Sequence, residues 1–288
     1  MRFFNTLAMG GAVIGGLVLT AATGHAQPAT PPAAIALAGP TYADLATLSE
    51  AAELVIRAQI RKQTTLKPAA APDVAPGFAR LLIEAQTVSL IAGRSGVGAG
   101  LRYLVDVPLD AKGKVPKLKK REFLIFVDPI PGRAGQVQLV APGAHLAYTP
   151  ELEARVRPVL TEVFGAPDSV PPRITGVSEA LAVPGTLTGE SETQIFLATE
   201  TRAPVSITVL RRPGQQVQWG VSWGEIIDSA ARPPAPETLQ WYRLACSLPD
   251  QLPSNANLSR ELAERRLAAG DYAFVRKALG PCERRITS

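Results

Sequence analysis

Gly220-Val221-Ser222-Trp223-Gly224 has the spacing of a nucleophile elbow, in which a serine on a sharp strand-to-helix turn attacks a carbonyl. Such a serine needs a parallel α/β sheet beneath it and a histidine later in the chain. The two histidines, His25 and His145, both precede it. Val217, Trp219, Val221 and Trp223 alternate around Ser222, which reads as a sheet strand whose glycines admit a close neighbour. The glycine-rich stretch from Gly93 to Gly100 superficially resembles a phosphate loop, but it lacks the Gly-Lys-Ser/Thr ending. Residues 101–109 then alternate as a strand, so no helix N-terminus stands behind it to face a phosphate. It reads as a hairpin loop. Two carboxylates could perform glycoside hydrolysis wherever they meet in space, and Glu190 and Glu192 share a polar loop that a solvated turn explains as well. A single histidine beyond the N-terminal segment, two cysteines expected to be oxidised and no Asp-x-Asp-x-Asp-Gly loop leave neither a metal site nor a cofactor to expect. No catalytic residue is assigned.

The basic segment 112–121 is more specific. Lys112, Lys114, Lys117, Lys119, Lys120 and Arg121 bring six positive charges together with no acid among them. The formal net charge of the whole chain is +5, so this connection carries all of the positive excess. A local field of that sign attracts anions. These six are the candidate ligand-binding residues, and the candidate partners are phosphorylated lipid headgroups, anionic polysaccharide or an acidic protein face. No aromatic residues interleave the lysines to stack bases, which argues against nucleic acid. The same residues also suit a solvated hairpin whose charges keep a sheet edge from pairing with another.

The N-terminus indicates where such a partner would be met. Arg2 precedes an apolar, Gly/Ala-rich stretch from Leu7 to Ala22, and Gly24-His25-Ala26 offers small residues at the positions a signal peptidase reads. Cleavage is predicted after Ala26, giving a periplasmic or secreted protein. The apolar stretch, about 16 residues, falls short of the roughly 20 that span a bilayer, and no later segment is long enough to add a span. In an oxidising compartment Cys246 and Cys282, 36 positions apart, are expected to form a disulfide. Closing that loop would constrain the unfolded chain by about 4 kcal/mol in the chain-entropy model.

The elements that must position these residues follow from hydrophobic period. Pro28, Pro31, Pro32 and Pro40 mark 27–40 as an extended leader to a fold that starts near Tyr42. A short helical stretch through Leu45 and Leu48 leads to a strand with Leu54, Ile56, Ala58 and Ile60 on one face. Leu81, Ile83 and Ala85 alternate in a second strand, and Tyr103, Val105 and Val107 in a third. Phe123 to Val127 is apolar on both faces, as a central strand requires. Val137 and Leu139 supply a fifth. Thr149 and Pro150 open a helix through Val163 that Pro158 should kink or split. Beyond the proline-rich stretch 166–172, strands at 193–199, 205–211 and 217–223 read as a three-stranded meander. A short helix is expected at 225–231, and helices at 236–247 and 259–279 follow, the latter starting at Ser259 and stopped by Gly280-Pro281.

The fold class expected is α+β, mostly antiparallel: a five-stranded barrel-like or sandwich domain with a terminal helix over 41–165, then a small antiparallel sheet with C-terminal helices over 173–288. The short helix followed by the strand 52–60 (AELVIRAQI) resembles the opening of OB-like barrels of the netrin and metalloproteinase-inhibitor kind. None of those families' cysteines is present at this end. The whole chain resembles a group of uncharacterised exported proteins of alphaproteobacteria, which implies export and no particular activity. Together these readings describe a non-enzymatic binding or assembly module of the cell envelope. A hydrolase using carboxylates or Ser222 is the alternative, and an inhibitor of envelope enzymes is what the OB-like resemblance would imply.

Overall fold

The structure is a computed structural model, and it describes residues 39–166, 169–225 and 231–287. The predicted signal peptide, most of the 27–40 leader and most of the helix drawn at 225–231 lie outside the described residues. Thr41 opens the fold by reciprocal capping. Its hydroxyl accepts the Asp44 N–H, the Asp44 carboxylate accepts the Thr41 N–H, and helix α1 (Tyr42–Ala51) follows. Strand β1 (Leu54–Thr65) pairs antiparallel with β2 (Phe78–Gly93) on one side and β4 (Glu122–Pro129) on the other. Outside β2 lies β3 (Gly100–Pro108), and β4 also carries the short strands β5 (Val137–Leu139) and β6 (His145–Ala147).

One face of this six-stranded sheet packs on itself. Ile56, Ile60, Leu81, Ile83, Tyr103, Val105, Ile125 and Val127 form a core to which, among the described residues, no helix contributes. The other face, through Val55, Leu124 and Phe126, packs against α1 and helix α2 (Pro150–Val163). Both faces of β4 are therefore buried, as its unbroken apolar run requires. The outer strands β3 and β5 meet through a single parallel bridge, Arg102 to Gln136, and continuous pairing does not close the sheet.

The second sheet is a meander of four antiparallel strands, β7 (Ile174–Pro184), β8 (Ser191–Thr199), β9 (Val205–Arg211) and β10 (Gln218–Ser222). Helices α3 (Leu239–Ala245) and α4 (Leu262–Leu279) cover one face, with Leu244, Tyr272 and Val275 set against Ile195, Ile207 and Val209. Buried charges in this region are paired, as desolvation demands. Asp271, fully buried on α4, accepts from Thr193 Oγ1 and Arg211 Nε, each at 2.6 Å. Arg243 on α3 pairs with Glu50 and donates to the Pro171 carbonyl at 3.0 Å. Cys246, which ends α3, and Cys282, just past α4, stand at disulfide distance, 2.07 Å between sulfurs.

A second tie closes the molecule. Asp44 has no exposed surface, and its carboxylate accepts the N–H groups of Arg285 (3.0 Å), Ile286 (3.2 Å) and Thr287 (3.1 Å) and the Thr287 hydroxyl (2.8 Å). Burial alone would raise this carboxyl. The hydrogen bonds from Thr41, Thr287, Ile286 and Arg285 outweigh burial and hold it at about 2.

The class is α+β and mostly antiparallel, and several local expectations are corrected. The second sheet has four strands, not three, because β7 joins it. Pro158 does not split α2: it lies on the exposed face, while Leu152, Val156, Val159, Leu160 and Val163 keep the helix packed. Helix α4 starts at Leu262 rather than Ser259, because the chain before it bridges the outer edge of β7 at Ala180 and the buried Ser259 hydroxyl accepts the Ala182 N–H there. Among the described residues no helix is long and apolar enough to cross a membrane.

Candidate functional site

The basic segment is built into the connection from β3 to β4. Those strands lie on opposite sides of the β2–β1 pair, so residues 109–121 cross the end of the sheet and do not form a hairpin. Asp110 opens the crossing with a tight turn. Its carboxylate accepts the N–H groups of Lys112 and Lys114, both at 2.8 Å, and its own N–H donates to the Lys114 carbonyl at 2.9 Å. Gln63 on β1 then clamps the chain, donating to the Pro116 carbonyl at 2.9 Å and accepting the Leu118 N–H at 2.6 Å. Leu118, only 4% exposed, inserts into the inner core with half-buried Val115 beside it. Lys120 N–H donates to the Ile60 carbonyl at 2.8 Å and Ile60 N–H to the Arg121 carbonyl at 3.0 Å, which lays the end of the segment along β1. These bonds hold Lys120 in the left-handed region, φ 71°, a conformation that costs a side-chain residue about 1 kcal/mol.

The consequence is a fixed backbone with exposed charges, of which Arg121 also lies over the Phe123 ring, 5.5 Å from its centroid. Lys112, Lys114, Lys117, Lys119, Lys120 and Arg121 are all exposed, and among the described residues none is in an ion pair. Neighbouring acids are already engaged: Asp110 holds its turn, and Glu122 pairs with Arg57 at 2.7 Å. Two further cations, Lys62 on β1 and Lys67 just beyond it, belong to the same end of the sheet. A reading confined to runs of charge passes over them, although the clustering of lysine apart from arginine is visible in the sequence.

The other constellations are placed less favourably for chemistry. Ser222 ends an antiparallel strand opposite Ser206 and is 5% exposed. A Cβ on Gly220 would come within 2.3 Å of the Ala231 backbone, which is the close neighbour that glycine admits. His145 belongs to the first sheet. Its ring stacks on Phe123 with centroids 4.0 Å apart, and its Nε2 shares a 3.1 Å hydrogen bond with the Tyr103 hydroxyl. Burial, with the nearby Arg121 charge, pushes His145 down to about 4, and burial pushes the Tyr103 phenol well up. Both are neutral at pH 7, a satisfied polar pair and not an acid and base poised for proton transfer. The Gly93–Gly100 stretch is the turn between β2 and β3, tied by Thr87 Oγ1 donating to the Gly98 carbonyl at 2.6 Å. Glu190 accepts the Leu187 N–H within its own turn, and Glu192 accepts from the Gln194 amide.

No protein-family model and no curated protein matches this chain. What the site can do is therefore set by its own geometry: a rigid backbone presents unpaired cations to solvent, which can hold an anion without reacting with it.

Proposed function

We propose that the protein is an exported, non-enzymatic binding or assembly module of the cell envelope, and that the basic crossing 112–121 receives an anionic partner. The observation that carries this reading is the contrast between the pinned backbone, held by Gln63, Asp110 and Leu118, and six exposed cations without acidic partners. A preformed loop loses little conformational freedom when it binds. Export is supported by the leader pattern in residues 1–26 and by the cysteine pair at disulfide distance. An OB-like character is supported by a path of five strands whose ends approach through one bridge, as in a partly open barrel.

The test replaces Lys117, Lys119 and Lys120 by Gln. Surface changes of this kind alter stability by no more than about 0.5 kcal/mol, so melting should be preserved while binding to anionic vesicles or envelope polysaccharide falls. Raising the salt should weaken wild-type binding, because exposed charges are screened over about 8 Å at 0.15 M. A wild type that binds neither surface at low salt refutes the reading. N-terminal sequencing of protein released from the envelope should begin at Gln27, and a start at Met1 would refute export with cleavage.

A further inference from the structure

We infer that the end of the first sheet that carries the basic crossing is a docking surface for an anionic lipid bilayer, with its lysines over headgroup phosphates and Phe78 seated among them. This rests on the anion-binding reading above and names its partner. The first observation is a partition of the two basic residue types. Seven of the chain's eight lysines, Lys62, Lys67, Lys112, Lys114, Lys117, Lys119 and Lys120, lie on the second half of β1, just past it, or on the crossing laid against it. Of these, only Lys62 is in an ion pair among the described residues, with Glu84 at 3.0 Å, whereas arginines hold the fold together, in pairs such as Arg57 with Glu122, Arg80 with Asp73 and Asp106, Arg211 with Asp271, and Arg243 with Glu50. Guanidinium forks suit one bidentate anion in a fixed cradle, whereas an ammonium on a flexible stem is a hydrated point charge. A spaced row of such charges matches phosphates spread across a surface.

The second observation separates a bilayer from a soluble polyanion. Phe78, at the start of β2, is 45% exposed, a large apolar side chain facing water. It pairs with Pro108, and the adjacent Leu109 N–H donates to the Gly77 carbonyl at 2.8 Å, so Phe78 stands where the basic crossing begins. The acids at this end reduce the field without reversing it: Asp73 and Asp106 share Arg80, Glu84 pairs with Lys62 and Asp110 is turned onto backbone, four carboxylates against the seven lysines, Arg80 and Arg121. A polysaccharide gives an exposed phenyl ring nothing to enter. The boundary between headgroups and acyl chains does, and basic residues beside an apolar side chain are the usual means of lying on it.

The full protein is mixed with phosphatidylcholine vesicles, with vesicles that also contain phosphatidylglycerol, and with dextran sulfate. Binding only to the phosphatidylglycerol vesicles, weakened by salt and unaffected by inorganic phosphate beyond its ionic strength, is expected. Replacing Lys67, Lys112 and Lys114 by Gln should lower partitioning roughly 100-fold, and Phe78→Ser roughly tenfold, with melting temperatures retained. If the triple variant melts early, Lys112→Gln alone is measured, and a roughly fivefold loss is expected. Binding to dextran sulfate without vesicles would overturn the bilayer and leave the anion-binding reading standing. Unchanged partitioning of Phe78→Ser, or specific competition by inorganic phosphate, would also overturn it. Failure to bind any of these at low salt would remove both.

Discussion

Asp44→Asn is the most informative single change for the fold. The carboxylate receives N–H groups from both ends of the described structure, Thr41 at one and Arg285, Ile286 and Thr287 at the other, in a site with no exposed surface. Its position at about 2 lies nearly two pH units below an ordinary carboxyl. That difference amounts to about 2 kcal/mol, and a discount for solvent screening leaves about 1–2 kcal/mol. Because the folded-state value is the lower one, this stabilisation is complete above about pH 4 and is lost as pH falls from there through about 2. Asparagine removes the charge and turns an N–H₂ toward backbone donors, so at pH 7 the variant should be less stable by about 2–3 kcal/mol. For a domain of this size the melting temperature should fall by roughly 4–10 °C. Urea unfolding of both proteins at neutral pH and near pH 2 provides the assay, and the two curves should converge in acid as the wild-type carboxyl takes up its proton. Equal stability at pH 7, or a gap that persists undiminished below about pH 2, would refute the reasoning.

Leu118→Ala should cost about 2–4 kcal/mol through the cavity it leaves and should expose 112–121 to proteolysis; denaturant unfolding and peptide mapping check both, and an unaffected variant would mean that the crossing is not anchored by its side chain. His145 should titrate near pH 4 by NMR, and because its folded-state value is depressed, the stability it contributes is full above about 6.5 and is lost as pH falls through about 4. A His145 midpoint close to 6.5 would place the ring in water and contradict its packing against Phe123 and Tyr103.

Residues whose partners lie on one periodic face were legible in the sequence. Leu54, Ile56, Ala58 and Ile60 alternate and share one core, Phe123 to Val127 is apolar throughout and lies between two, and Thr149 caps α2 through the Leu152 N–H. Strand β7 was hidden because bulges between Ile174 and Gly176 and between Val177 and Glu179 break its alternation, and because Leu181 and Val183 face outward. The six cations of the candidate site were visible as composition. Their crossing path was not, since it depends on β1 pairing with β4, a contact between segments about 70 residues apart that no local pattern announces. The lodging of Leu118 beneath its lysines and the clamp by Gln63 follow from that pairing, and so were equally out of reach. Ser259 illustrates the converse failure: its type suits a helix cap, but the outer edge of β7, which residues 256–258 bridge at Ala180, competes for the same hydroxyl.

Helix α3 belongs to two cores at once. Leu239 and Tyr242 fill the layer between α1 and α2, while Leu244 and Ala245 fill the layer beneath the second sheet. During synthesis, the first sheet and its helices thus emerge with a vacancy that only residues made much later can occupy. Until α3 arrives, part of the surface around Tyr42, Thr47 and Glu162, which Trp241, Tyr242 and Leu239 come to meet, faces water, and the nascent half resembles an interface without its subunit. The two sheets consequently mature together, and severing the chain between them would leave each half with an unfilled apolar face and a tendency to associate.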